Sequence, residues 1–158
     1  MWPLLAYVVA AVAVGLDQLS KWWVLGPLDL RFRGQVPVVP PLFNFTLVHN
    51  TGVSFGLLRA SADLGRWLLT LFSLAVAVAL AVWVRRAARP LTALSIGLII
   101  GGAVGNAIDR IRLGFVVDFI DVSGLHFPWV FNVADSCITV GVALLVLESL
   151  FQPAAKKP

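Results

Sequence analysis

Two carboxylates, Asp118 and Asp135, sit in unusually apolar surroundings: the first follows Val116-Val117, and the second follows Phe131-Asn132-Val133-Ala134, a turn inside the last apolar span. Brought close together, two such groups cannot both ionise cheaply, so one pKa rises and the pair can share a proton and activate a water between them. A pair of this kind titrates as a unit. The same residues admit two other readings, a proton or ion pathway and a structural acid paired with Arg110 or Arg112. Asp17 and Lys21 share a helix face at i, i+4 in the favourable order for an ion pair. That pair either neutralises two charges at a membrane edge or also shapes a site.

Other polar residues carry weaker signals. Asn50-Thr51-Gly52 suits a turn with a positive φ and is not a glycosylation acceptor. Gly97, Gly101 and Gly105 make overlapping small-xxx-small steps, a spacing that lets a second helix approach closely. The run Gly101-Gly102-Ala103-Val104-Gly105 is no phosphate loop, because no Lys-Ser/Thr follows and no strand precedes it. His49 and His126 read as interfacial polar residues, since neither has a neighbouring ligand donor. Cys137 reads as a small packing hydrophobe, and Ser54 and Ser136 lack an evident base.

The elements that position these residues belong in a bilayer. Of 158 residues, 59% are hydrophobic and 13% charged, whereas a soluble domain carries about 25% charged residues. Mean hydropathy is +0.93. The formal charge of +4 comes from scattered basic residues with no single basic face, which argues against a nucleic-acid partner. One cysteine excludes an internal disulfide, and no Cys/His spacing supports a metal site. We expect an all-α membrane protein, a single integral domain over residues 1–158, with spans near 2–25, 67–84, 91–108 and 131–151. The first span lacks the basic start and cleavage site of a removed signal peptide, so we expect it to persist as an anchor.

Four spans place both termini on one side. Arg85, Arg86 and Arg89 crowd the short second connection and Lys156 and Lys157 close the tail, which assigns that side to the cytoplasm. Asp17, Lys21, Asp109, Arg110, Asn132 and Asp135 then all converge on the outer leaflet, as a site assembled from three spans requires. In the first outer connection, residues 26–63, Phe43-Asn44-Phe45-Thr46-Leu47 alternates with period two and reads as a half-buried strand in a small β element. The second, residues 112–130, is apolar and aromatic, with Trp129, and reads as an interfacial segment lying against the headgroups.

Five motifs in order resemble those of the lipoprotein signal peptidase (signal peptidase II) family of bacterial inner-membrane aspartyl proteases. They are Asp17-Gln18-Leu19-Ser20-Lys21, Asn50-Thr51-Gly52-Val53-Ser54-Phe55, Gly101 through Asn106-Ala107-Ile108-Asp109-Arg110, Val116-Val117-Asp118-Phe119-Ile120 and Phe131-Asn132-Val133-Ala134-Asp135. The one departure is Ser54, where the family usually has Ala, on the pocket wall. The resemblance implies that Asp118 and Asp135 form a catalytic dyad that cleaves diacylglyceryl-modified prolipoproteins on the N-terminal side of the lipidated cysteine. It implies substrate-binding or dyad-orienting roles for Asn50, Gly52, Asn106, Arg110 and Asn132, and supporting roles for Asp17, Lys21 and Asp109.

No metal or organic cofactor is expected, and the implied partners are the lipidated substrate and membrane lipids, with the chain itself a monomer. Inhibition by the cyclic peptide globomycin and an active site toward the periplasm follow from the same resemblance. The segment around Phe115 to Pro128 is expected to act as a lid or groove wall. Two rival readings are a small proton-coupled transporter or channel, which should place polar groups at both leaflets, and a noncatalytic assembly subunit, which leaves the two aspartates unexplained.

Overall fold

The computed structural model describes residues 2–52 and 62–151; Arg59, Lys156, Lys157 and the Val53-Ser54-Phe55 part of the second motif lie outside them. Four long helices are apolar enough to cross a bilayer: α1 (Trp2–Leu25), α3 (Ala62–Trp83), α4 (Pro90–Arg112) and α5 (Val133–Leu150). At 18 to 24 residues each they run roughly 27 to 36 Å, matching a hydrocarbon layer of about 30 Å. A single turn, α2 (Leu30–Arg33), follows α1, and Val84–Arg86 closes α3 as a 3-10 turn.

Two boundaries extend past the apolar windows in the sequence. Helix α3 begins at Ala62, before residue 67, with Asp63 in its first turn, where the macrodipole favours an acid. Helix α4 continues through Asp109 and Arg110 to Arg112, and Gly114, with a φ of +88°, turns the chain just beyond it. Pro90 starts it, in the one turn of a helix where a missing N–H does no harm.

Helix α4 is the hub, its span 67% buried against 22% for α1 and 17% each for α3 and α5. The small residues foreseen on it let neighbours close in. A Cβ on Gly101 would stand 2.5 Å from the Ala13 methyl of α1, and one on Gly105 would stand 2.6 Å from the Asp17 carboxylate. Ala6, Ala10, Ala77, Ala93, Ile96, Ile100 and Ala103 fill the core between the helices.

Beyond the helix ends lies a four-stranded antiparallel meander: β1 (Gln35–Val39), β2 (Phe43–Asn50), β3 (Val116–Asp121) and β4 (Val130–Phe131). The expected strand is β2. The second connection differs from a wholly interfacial segment, because its first half pairs with β2 as β3 and is buried, including Val116, Val117, Asp118 and Phe119. Its apolar residues find a protein core with Val24 and Leu30 in place of headgroups. The later part, with Leu125, Phe127 and Trp129, is exposed.

Pairing between β2 and β3 shifts between Phe45 and Val48. Had the Phe45–Ile120 register continued, Leu47 would face Asp118 and His49 would be its diagonal neighbour. The bulge instead sets Val48 opposite Asp118 and Asn50 on the diagonal, a position within side-chain reach. The far side of the sheet is tied by Asp121, which accepts hydrogen bonds from Thr46 Oγ1 at 2.6 Å, Gln35 Nε2 at 3.3 Å and the Ser123 N–H at 3.0 Å.

Candidate active site

Asp118 enters the site from β3 and is 2% exposed. Its Oδ1 accepts a hydrogen bond from Asn132 Nδ2 at 2.7 Å, and its Oδ2 accepts one from Asn50 Nδ2 at 2.9 Å. Burial pushes its pKa up to about 6, and the Asp135 charge adds to the rise, while the amides of Asn50 and Asn132 and the charge of Lys21 oppose it.

Asp135 comes from the first turn of α5, where Asn132 is the N-cap. The Asn132 side-chain oxygen accepts from the Asp135 N–H at 2.8 Å, and the Asp135 carboxylate accepts from the Asn132 N–H at 3.3 Å. This reciprocal capping box satisfies two of the helix's orphan donors and fixes the direction of the carboxylate. The other carboxylate oxygen accepts from Asn106 Nδ2 of α4 at 2.7 Å.

The two asparagines knit the pair together. Asn132 Nδ2 also reaches Asn106 Oδ1 at 3.2 Å, so a path of amides runs from Asp118 through Asn132 and Asn106 to Asp135. Lys21 Nζ donates to the same Asn106 oxygen at 3.3 Å. With donors on its oxygen and a carboxylate beside its nitrogen, the Asn106 amide has only one sensible orientation.

Behind Asn106 lies a buried charge cluster. Lys21 Nζ is 2.8 Å from both Asp17 Oδ2 and Asp109 Oδ2, so the i, i+4 pair of the sequence is in fact a triad bridging α1 and α4. Each carboxylate does a second job: Asp17 Oδ1 accepts from the Ala134 N–H at 2.9 Å, and Asp109 Oδ2 accepts from the Val117 N–H at 3.0 Å. One therefore anchors the start of α5 and the other the start of β3, the two elements that carry Asp135 and Asp118.

Gln18 escaped the sequence reading although it adjoins Asp17. It donates to Asp109 Oδ1 at 3.0 Å, to Asp17 Oδ2 and to the Gly105 carbonyl, closing the cluster from outside. Gly52 has φ +72° and donates its N–H to Asn50 Oδ1 at 2.8 Å, which holds Asn50 toward Asp118. Arg110 is half-buried beside Asn106 and Asp135, and its Nε has no hydrogen-bond partner among the described residues.

Three clefts reach the two aspartates, one at Asp118 and two at Asp135. A polar one of about 530 Å³ is lined by His49, Asn50, Gly52, Asp118 and Trp129, with the His49 ring 4.2 Å from that of Phe115 and tilted 38° to it. An apolar one of about 440 Å³ runs along α5 past Phe127, Phe131, Asp135 and Thr139. A third, of about 310 Å³, lies among α3, α4 and α5 with Asn106, Arg110 and Asp135 on its wall. Among the described residues no three His, Cys, Asp or Glu side chains converge as metal ligands would.

A buried carboxylate and a half-buried one, joined by amide donors and reached from both polar and apolar sides, are equipped to activate water against a peptide bond. Residues 9–151 match the family model for signal peptidase (SPase) II. A lipoprotein signal peptidase of Caulobacter vibrioides is 59% identical over 153 residues, covering 96% of this chain and 90% of that one. One from Rhizorhabdus wittichii is 42% identical over 156 residues, covering 98% and 90%. A solved bacterial membrane enzyme, determined by the in meso method at 2.3 Å, superposes with a TM-score of 0.79 at 29% identity, covering 96% of this chain and 91% of its own.

Proposed function

This chain belongs to the signal peptidase II family of membrane proteases, and from that premise we propose that it is an aspartic endopeptidase acting on diacylglyceryl-modified prolipoproteins, with Asp118 and Asp135 as its dyad. The observation that carries the reading is the amide path through Asn132 and Asn106, which ties two carboxylates from different elements into one unit. Asp118, raised to about 6, holds the shared proton and polarises the scissile carbonyl. Asp135, held at the N-terminus of α5 by the Asn132 N–H and Asn106 Nδ2, acts as the base that takes a proton from the attacking water. The proton then passes to the leaving amine on the N-terminal side of the lipidated cysteine. Two carboxylates and water suffice for these steps, so no metal or organic cofactor is required.

The substrate's acyl chains stay in the bilayer and its backbone crosses the clefts at the helix ends. Asn50 and Gly52 line the Asp118 side, with the buried Asn132 holding Asp118 from behind, and Asn106 and Arg110 line the Asp135 side. An amide-rich wall suits a peptide strand whose backbone groups leave water. The arginines of the α3–α4 connection support cytoplasmic termini, with the dyad toward the periplasm; an inner-membrane location and a monomeric chain are part of the same proposal. The exposed aromatic stretch with Phe127 and Trp129 serves as the groove wall.

The test is cleavage of a diacylated prolipoprotein peptide by the purified protein in lipid, with the cut bond mapped by mass spectrometry and globomycin as inhibitor. Cleavage is expected directly before the lipidated cysteine and in neither the unlipidated peptide nor the inhibited sample. Ion conductance without cleavage rejects the protease reading.

A further inference from the structure

A fourth cavity, of about 340 Å³, lies on the opposite side of the Lys21 cluster from the dyad, between the ends of α1 and α4 and the turn α2. Its wall carries two guanidiniums, Arg31 of α2 and Arg112 at the end of α4. All eight Asp and Glu of the chain lie among the described residues, and none forms an ion pair with Arg31 or Arg112. The one acid on the wall, Asp109, is already paired with Lys21. Arg112 Nη1 donates to Gln18 Oε1 at 3.5 Å, a neutral partner that leaves its charge unpaired.

Lys21, already paired with Asp17 and Asp109, also reaches the wall, and the rest of it, Trp22, Leu25, Gly26 and Leu113, is apolar. Trp22, 63% exposed, and Leu25 end a membrane-spanning helix, so the cavity stands at headgroup depth, where tryptophan rings gather. Two uncompensated planar cations above an apolar wall match a phosphodiester with acyl chains beneath it.

We propose that this cavity binds the phosphate headgroup of an anionic membrane phospholipid, with Arg31 and Arg112 on the phosphate and the acyl chains against Trp22 and Leu25. The apolar half of the wall assigns the site to a lipid and not to free phosphate. The site is separate from the clefts at Asp118 and Asp135, and the proposal stands whether or not that pair cleaves peptides.

Native mass spectrometry of the full chain in detergent, with phosphatidylglycerol or phosphatidylcholine of the same acyl chains added, reads the preference directly. Wild type is expected to retain phosphatidylglycerol preferentially. Arg31→Gln/Arg112→Gln is expected to reduce that preference roughly tenfold to thirtyfold, and each single substitution roughly fivefold. Arg85→Gln/Arg86→Gln, at the opposite ends of the helices, is expected to preserve it. Equal retention of both lipids, or an unchanged preference in the Arg31 and Arg112 variants, overturns the proposal. Displacement of the lipid by millimolar inorganic phosphate overturns the assignment to a lipid.

Discussion

The side-chain nitrogen of Asn132 lies 2.7 Å from Oδ1 of Asp118, while the oxygen of the same amide caps the helix that carries Asp135. One side chain thus performs a folding task and a positioning task, and substitutions separate them. Asn132→Ser keeps a capping oxygen but is too short to reach Asp118. It is expected to lower kcat about 100-fold with KM little changed. Asn132→Ala removes the cap as well and should cost a further ~1 kcal/mol of stability. A serine variant with wild-type kcat contradicts the positioning role.

Asp118→Asn and Asp135→Asn each remove one carboxylate without emptying its space. Each is expected to reduce cleavage of the lipidated peptide by about 1,000-fold or more while the protein still melts cooperatively. Combining them should cost little beyond either alone, because the pair acts as a unit. Substantial residual turnover in either single variant excludes the dyad.

The raised Asp118 pKa predicts two pH effects. Since the proposed active form holds one proton on the pair, kcat/KM should fall about tenfold per pH unit above the Asp118 value. A flat profile there refutes the proton assignment. In stability, the folded protein holds a proton that the unfolded chain has released between 3.8 and about 6. Stability therefore declines as pH rises through that window and stays lower above it, by up to about 3 kcal/mol relative to Asp118→Asn. Asp121 acts with the opposite sign. Its hydrogen bonds, that of Thr46 foremost, hold its carboxyl below 3.8, so its contribution is present above that value and is lost as the pH falls below it. Denaturation curves of wild type, Asp118→Asn and Asp121→Asn across pH separate the two.

Lys21→Met should be the most damaging change outside the dyad. It leaves Asp17 and Asp109 facing each other's buried site without the cation 2.8 Å from both, an expected loss of about 3–5 kcal/mol. Adding Asp109→Asn should restore part of that stability, since it removes one stranded charge. If the double variant is less stable than Lys21→Met alone, the charge argument fails.

Gly101→Leu forces α1 away from α4, because even a Cβ would meet the Ala13 methyl at 2.5 Å. An overpacking loss of about 1–3 kcal/mol is expected. Asp17 moves with α1, so activity should fall too, although Gly101 touches none of the site. Wild-type melting and turnover together disprove this coupling.

The four spans and the polar residues gathered at one end of them were legible in the chain alone. A hydrocarbon layer demands about 20 apolar residues in a row, and any Asp, Lys, Asn or Arg that interrupts or borders such a run stands out. The same local logic exposed the Asp17–Lys21 pair and the glycine face of α4, since both depend only on spacing along one helix.

What only the tertiary structure decided depends on partners distant in sequence. Residues 116–121 carry the apolar composition of an interfacial segment, and they become β3 because β2 offers them an edge and Val24 and Leu30 a core. The bulge that chooses Asn50 over His49 as the diagonal neighbour of Asp118 is a property of the pairing and not of either strand. Likewise, Lys21 shows its i, i+4 partner to any reader, but Asp109 and Asn106 reach it only because helices α1 and α4 pack closely. Short-range periodicity follows from backbone geometry and is written in composition, whereas the choice among several buried polar partners is made by which backbones come into contact.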